Sequence, residues 1–346
     1  MEKPQDAHGL FRIARACWGN AMKLPRRKVL HLLASAAVLP GITRVATAQA
    51  YPSRPVRIIV GFAAGGAFDI TARLIAQWLG DRLGQPFIVE NRPGAGTNIA
   101  TEAVIRAPPD GHTLLLAGAV NAVNATLYEN LKFDFVRDIA PVAGTIRFPN
   151  LMEVNPSFPA KTVPEFISYA KANPGKVTFA STSTGSTQHL SGELFNMMAG
   201  VKMVHVPYRG ASPALTDLSS GQVQVMFGPL LPSIEFIRAG ELRGLAVTTT
   251  TRSEAVPDVP TVGEFVPGYE ASGWNGVGAP KNTPVEIIDK LNKEINAALA
   301  DPAIKARLAD LGGTPLSGSP AEFGELVIEE TEKWAKVVRF SGAKPE

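Results

Sequence analysis

Three short loops contain the residues of this sequence that could bind an anion. The first holds Gly65 and Gly66, is followed by Asp69, and joins an apolar run to an amphipathic one. The second carries five hydroxyl side chains from Ser181 to Ser186, and the third runs from Pro207 to Ser212. Backbone N–H groups at helix starts, hydroxyls and guanidinium groups all stabilise oxygen anions. The loops therefore suggest a ligand with several oxygen atoms.

Each loop also has a simpler interpretation. A glycine pair after a strand is typical of a tight turn, and a Ser/Thr-rich loop is typical of a solvated connector. Arg209 could equally be a surface charge. His189 is more typical of a structural hydrogen bond than of a metal site. The ligand interpretation is favoured because all three loops follow a predicted strand and precede a predicted helix. We expect Asp69 to cap its helix and to leave the amides of Gly65 to Phe68 free for a ligand.

Motifs that would indicate an enzyme are weak. Ser168 and Lys171 have the spacing of penicillin-binding enzymes, but they fall inside a helical pattern and the companion motifs are missing. Gly94 and Gly96 begin a dinucleotide fingerprint that fails where Ile99 replaces the third glycine. The single cysteine, Cys17, provides neither a disulfide framework nor a thiolate metal site. We therefore expect no catalytic residue, no metal and no cofactor.

The elements that would position the loops form two α/β sets. The first set has predicted strands at 56–60, 86–89 and 113–116 and helices at 69–83 and 97–105. The second has strands at 177–180, 204–206, 223–227 and 245–248, with helical segments at 188–198, 213–218 and 234–238. Such alternation is typical of parallel sheets covered on both faces. A ligand would then lie between the sets, at the strand ends where the loops gather.

Two further segments complete the chain. A stretch rich in Pro and Asn, from Phe148 to Pro156, separates the two sets. After the second set come a segment at 274–279 and three predicted helices near 284–299, 302–311 and 320–338. Each of these helices has a proline at its start, where a first helical turn tolerates it.

The first 50 residues are predicted to be an export signal. Arg26 and Arg27 precede about eleven mostly apolar residues, and Ala48 to Ala50 supply the small residues that a signal peptidase reads. The arginine pair fits the twin-arginine and the general secretory routes equally, and Met22 is an alternative start. The segment holds eight of the 34 basic and two of the 31 acidic residues, so 26 basic and 29 acidic residues remain, a net charge of −3. We therefore expect a protein free in the periplasm, without a nucleic-acid partner.

Six segments, in this order, resemble those of a known receptor family. They are YPSRPVRIIVGFAAGGAFDITARLIAQWL, LGQPFIVENRPGAGTNIATEAV, PDGHTLLLAG, GSTQHLSGELFNMMAG, VHVPYRGASPALTDLSSGQVQVMF and VPDVPTVGE. The family is the Bug or TctC family of periplasmic solute receptors, which serve tripartite tricarboxylate transporters. The resemblance extends over essentially all of residues 51 to 342.

The resemblance implies a two-lobed α/β fold of the type II periplasmic-binding-protein (Venus flytrap) kind, with two doubly wound sheets and a ligand cleft between the lobes. It places one lobe at 51–150 plus 272–346 and the other at 151–271. It implies that main-chain groups and ordered water from 62–69 and 118–121 hold a ligand carboxylate, while 183–189 and 208–210 select the acid. The residues predicted to bind ligand are Phe62, Gly65, Gly66, Phe68, Asp69, Ala119, Asn121, Ser183, Thr184, Gly185, Ser186, His189, Tyr208, Arg209, Gly210 and Trp274.

Departures from the family pattern bear on the ligand. Phe68 stands where the family commonly has a small hydroxyl residue, Gly228-Pro229 replaces a common Asp-Asn pair, and Arg209 replaces the usual lysine. Without a carboxylate at position 228, we expect a mono- or dicarboxylate that has no amine, with Phe68 as an apolar or stacking wall. The expected partner of a monomeric receptor is a membrane transporter, or else a sensor kinase. A periplasmic hydrolase and a module that binds a peptide or a sugar are the other hypotheses.

Overall fold

The computed structural model describes residues 51–345, which contain two open sheets. The predicted export signal, with Cys17, Met22 and the arginine pair, lies outside the described residues. Within 51–345, no helix has the length and apolar character needed to cross a membrane.

Strands and helices alternate along most of the described chain. The strands are β1 Val56–Val60, β2 Phe87–Asn91, β3 Thr113–Gly118, β4 Ile139–Phe148, β5 Asn150–Val154, β6 Thr178–Ser181, β7 Val204–Pro207, β8 Val225–Pro229, β9 Arg243–Val247, β10 Gly273–Pro280 and β11 Thr314–Pro315. The helices are α1 Ala67–Leu83, α2 Asn98–Ile105, α3 Ala119–Leu127, α4 Phe135–Asp138, α5 Val163–Ala172, α6 Thr187–Ala199, α7 Ala211–Ser219, α8 Leu230–Arg238, α9 Val285–Ala300, α10 Pro302–Asp310 and α11 Pro320–Ser341. Short 3-10 turns occupy Ala95–Thr97 and Val262–Glu264.

The first sheet, sheet A, has the strand order β11-β4-β10-β3-β1-β2. β1 runs parallel to β2 and β3, whereas β10 is antiparallel to β3 and β4. β3 is buried along its whole length, as an apolar run such as TLLLAG requires when both faces of a strand are covered. The prediction of a parallel sheet therefore holds for β1 to β3, and the later strands make the sheet mixed.

The second sheet, sheet B, has the strand order β7-β6-β8-β5-β9. β6 is parallel to β7 and β8, and β5 is antiparallel to β8 and β9. In both sheets the parallel strands end at loops that lead into helices. The predicted loops thus follow strand ends, as the sequence pattern required.

The chain passes between the two sheets at two places. Only Pro149 separates β4 of sheet A from β5 of sheet B, and the return follows Ala271 and Ser272 into β10. α11 packs against both α3 and α6. The elements next to the first passage were not predicted, since Pro141, Gly144 and Arg147 interrupt the apolar pattern of β4.

Candidate functional site

A cavity of about 510 Å³ lies where the loops after β1, β3 and β6 meet. Among residues 51–345, those that line this cavity carry no formal charge. A separate cavity of about 110 Å³ beside α4 and α11 has an almost wholly apolar lining, so it offers little to an anion. The wall of the larger cavity consists of Phe62, Ala67, Phe68, Ala95, Gly96, Ala119, Val120, Asn124, Leu127, Tyr128, Phe148, Thr182, Ser183, Thr184, Gly185, Ser186, Thr187, Gln188, Gly273, Trp274 and Pro345.

Three helices begin at this wall. The first two residues of α1, of α3 and of α6 all line the cavity. N–H groups in the first turn of a helix lack partners within the helix, and the helix dipole adds partial positive charge there. An anion in the cavity would therefore be stabilised by three helix starts without a basic side chain.

Asp69 holds the first loop, but it does so in a different way from the predicted helix cap. α1 begins at Ala67 with Gly66 as N-cap, and no side chain caps it. Asp69 Oδ2 instead accepts the N–H of Gly65 at 2.9 Å, and Arg73 donates to both carboxylate oxygens at 2.9 Å. Hydrogen bonds from Arg73, Gly65 and Asn91 outweigh burial and lower the pKa of Asp69 to about 2. The expectation of a free Gly65 amide is therefore wrong.

Several of the predicted ligand residues lie in the loops that follow β1 and β3. Phe62, Phe68 and Ala119 lie in the cavity wall, whereas Gly65, Gly66 and Asp69 lie outside it. Asn121 is also outside, with its side chain engaged within the protein. Its Oδ1 accepts the N–H of Gly118 at 2.9 Å, and its Nδ2 donates to Thr97 and Thr101.

The hydroxyl loop after β6 supplies most of the polar wall. Ser183, Thr184, Gly185 and Ser186 all line the cavity, and Ser186 Oγ caps α6 by accepting the N–H of His189 at 3.2 Å. His189 itself is buried behind the wall, where its Nδ1 accepts the N–H of Gly185 at 3.0 Å. No cluster of metal-ligating side chains occurs in residues 51–345.

The loop after β7 lies away from the cavity wall. Tyr208 donates its hydroxyl to Asp217 at 2.7 Å, Arg209 is exposed, and Gly210 donates its N–H to the carbonyl of Thr182 at 3.0 Å. None of these three residues lines the cavity. Ligand contact by this loop stays a prediction, and its observed role is to support the hydroxyl loop through Thr182.

Sequence reasoning missed the loop before α2. Ala95 and Gly96 line the cavity, and Ala95, Gly96 and Thr97 all have positive φ angles, of 47°, 58° and 78°. Positive φ is unfavourable for Ala and Thr, and such strain concentrates at functional sites. Asn124, also in the wall, donates to the carbonyl of Gly96 and to Asn98 Oδ1. The signal available in the sequence is the Gly-Ala-Gly-Thr-Asn run, which fails as a nucleotide motif and lies within a segment that resembles the receptor family.

Aromatic residues form the apolar part of the wall. Phe62 and Phe68 pack with ring centroids 4.4 Å apart, and Tyr128 and Phe148, which were not predicted, add two more rings. Trp274 lies at the wall, but its side chain is fully buried and its Nε1 donates to Glu330 Oε2 at 3.0 Å. The cavity therefore combines hydroxyls and helix starts with flat apolar surfaces.

The packing of β8 against Glu153 explains why position 228 is a glycine. A Cβ there would lie 2.5 Å from Oε1 of Glu153, which is buried and accepts a hydrogen bond from Ser233 at 2.7 Å. Burial raises the pKa of Glu153 to about 8 despite the opposing hydrogen bond from Ser233. This carboxyl group is thus neutral at pH 7, and it is not part of the cavity wall.

The serine of the weak catalytic motif is part of an ordinary helix. Ser168 is exposed on α5 and donates its hydroxyl to the carbonyl of Pro164 at 3.0 Å. Such a bond to the preceding turn is typical of serine within a helix. The geometry provides no support for a nucleophile at this position.

Solved structures of similar chains support the fold. The structure of R. palustris Rpa4515 with adipate is 38% identical, covers 86% of this chain and 100% of that one, and has a TM-score of 0.72. MatC (Rpa3494) from Rhodopseudomonas palustris with bound malate is 34% identical, covers 83% of this chain and 100% of that one, and has a TM-score of 0.68. The predicted periplasmic-binding-protein fold is therefore confirmed.

Sequence comparisons lead to the same family. The protein BugT of Bordetella pertussis is 39% identical over 307 residues, which cover 88% of this chain and 94% of BugT. The family model for "tripartite tricarboxylate transporter family receptor", TctC, matches residues 71–342. The predicted resemblance is thus confirmed, and the chain belongs to the TctC family of tripartite tricarboxylate transporter receptors.

Proposed function

We propose that this protein is a periplasmic receptor that captures a small carboxylic acid without an amine and with an apolar or aromatic portion. The main support for this proposal is that three helix starts and a hydroxyl-rich loop meet at one cavity. Among residues 51–345, the cavity wall has several aromatic rings and no charged side chain. Helix starts and hydroxyls suit a carboxylate, and rings suit an apolar body. Among residues 51–345, the wall contains no carboxylate that could pair with an ammonium group.

Binding would bring the two sheets together. We propose that 51–150 with 272–346 forms one lobe and 151–271 the other, because the chain passes between the sheets at Pro149 and near Ser272. A ligand that touches loops of both lobes stabilises the closed form by its differential affinity for it. The closed monomer would then deliver the acid to a tripartite transporter, as the family description suggests.

A thermal-shift and calorimetry panel tests the proposal. The panel contains benzoate, adipate, malate, citrate, aspartate, glucose and a short peptide with blocked ends, with benzamide as the uncharged match for benzoate. An acid at 100 times its dissociation constant adds about 2.7 kcal/mol of stability, which is visible in a melting curve. We expect stabilisation by an amine-free acid and none by benzamide.

Two results would count against the assignment. Binding of aspartate together with no binding of amine-free acids would exclude the proposed ligand class. Stabilisation by sugars or peptides alone would exclude the carboxylate itself. Transport of the bound acid is a separate step, measured by uptake in cells with and without the receptor.

A further inference from the structure

The hydroxyl loop of the cavity is built around two stacked histidine rings. His189 of α6 and His205 of β7 have ring centroids 3.7 Å apart and planes 14° apart. His189 is 4% exposed, and Phe179 of β6 packs against both rings. Within residues 51–345, the acidic group that pairs with these rings is Glu193, whose Oε1 lies 3.7 Å from His189 Nε2.

The hydrogen bonds of the loop determine which ring nitrogens carry protons. His189 Nδ1 accepts the N–H of Gly185 at 3.0 Å, so that nitrogen is unprotonated and the proton is on Nε2. Ser181 donates its hydroxyl to the carbonyl of Ser183 at 3.0 Å, so His205 Nε2 must donate to Ser181 Oγ, 2.7 Å away. His189 thus accepts through Nδ1, and His205 donates through Nε2.

These contacts fix the part of the loop that faces the cavity. Gly185 has a φ of +75°, and its N–H bond to His189 holds that left-handed conformation. Ser183 presents its carbonyl to both Ser181 and Ser186, which keeps the turn closed. Burial, together with the neighbouring His189 ring, lowers the pKa of His205 to about 3 and so favours the neutral ring.

We infer that His189 is a positioning residue of the ligand site, which acts through Gly185 and with the support of His205 and does not touch the ligand. The inference rests on the proposed function for its effect on affinity. Loss of the Nδ1 acceptor would leave the N–H of Gly185 without its partner and release the loop. The receptor should therefore bind its acid less tightly without this acceptor.

Two variants separate the acceptor from the rest of the side chain. His189→Asn places Oδ1 close to the position of Nδ1 but cannot gain a proton, whereas His189→Leu keeps apolar bulk and removes the acceptor. We expect His189→Leu to weaken acid binding by about tenfold, since it leaves a buried N–H unpaired. His189→Asn should restore most of that affinity.

The decisive readout is rescue by the conservative variant. Calorimetry would compare the affinities for benzoate and adipate of the wild type, His189→Leu and His189→Asn. A side chain that only fills space would be replaced by leucine as well as by asparagine, whereas a positioning acceptor is restored by asparagine alone. Unchanged affinity in His189→Leu, or an equal loss in both variants, would overturn the inference.

A measurement without ligand keeps the inference independent of the proposed function. Hydrogen–deuterium exchange of the segment 181–189 should be faster in His189→Leu, and close to wild type in His189→Asn. Ser181→Ala should also speed exchange, because it removes the bond that ties His205 to the loop. If no acid bound but this pattern appeared, the proposed ligand class would fail and the positioning role would stand. Unchanged exchange in His189→Leu would refute the role.

Discussion

At the scale of single residues, Glu153 is a carboxylic acid buried in the middle of a sheet. It has no exposed surface, Ser233 donates to its Oε1, and its Oε2 has no partner within the described chain. A buried carboxyl group is far less costly to keep protonated than ionised. This cost explains its pKa of about 8, whereas the glycine at position 228 is explained by the space that the Glu153 side chain occupies.

Glu153 should make the protein less stable as the pH rises. The pKa of Glu153 is about 8 in the folded chain and near 4.5 in the unfolded chain. Its contribution to the free energy of unfolding is therefore complete below pH 4.5 and is lost as the pH approaches 8. The loss is at most about 1.4 kcal/mol per pH unit. We expect Glu153→Gln to flatten the stability profile in urea unfolding between these limits. Glu286→Gln, at an exposed position, is the control and should leave the slope unchanged.

At the scale of elements, α3 contacts the hydroxyl loop across the cavity. A Cβ on Gly185 would lie 2.6 Å from Cδ2 of Leu127, at the end of α3. Gly185 also has a positive φ, so it is constrained both by its own backbone and by the helix opposite. The loop and the end of α3 therefore leave no room for a larger side chain at position 185.

Gly185→Ala should impair acid binding more than its backbone strain alone explains. Gly200→Ala is the matched control, because Gly200 has a φ of +64° at the end of α6 but nothing within 4 Å of its Cβ position. Both changes should cost about 1–2 kcal/mol from the left-handed backbone. Only Gly185→Ala should reduce affinity in calorimetry, and adding Leu127→Ala should recover part of it. Equal affinities in the two glycine variants would show that the contact with α3 is unimportant.

At the scale of the whole molecule, a charged cluster joins the two chain passages to α11. Glu270 accepts from Lys333 at 2.6 Å and from Arg147 at 3.1 Å, and Lys333 also contacts Glu330. Glu330 in turn accepts the indole N–H of Trp274, at the start of β10. Burial alone would raise the pKa of Glu270, but Lys333, Ser272 and Arg147 together lower it. The cluster ties sheet A, the return passage and the last helix together.

Lys333→Met should destabilise the protein by about 2 kcal/mol or more near neutral pH, because it leaves two largely buried carboxylates short of a partner. Glu270 contributes stability above its unfolded pKa and loses it as the pH falls, so the difference from wild type should shrink below about pH 4.5. Lys336→Met, an exposed change on the same helix, is the control for urea unfolding. A pH-independent deficit would point to lost packing of the side chain instead of lost charge.

The sequence by itself determined the alternation of elements, the position of the loops between strand ends and helix starts, and the family. Apolar runs such as VRIIV and TLLLAG show burial on both faces, and glycine and hydroxyl residues between strand and helix mark loops at helix starts. These signals are local, because each depends on residues close together in the chain. The same locality explains why β4, with its Pro141 and Gly144, was missed.

Only the tertiary structure decided which residues face the cavity. Gly96, Tyr128 and Phe148 belong to separate segments, and no periodicity relates them until the loops of both sheets meet. His189 was predicted to contact the ligand, but its ring lies behind Gly185 and stacks on His205 of strand β7. Spacing along the chain encodes burial and local conformation, whereas the direction in which a loop side chain points is set by contacts between distant segments.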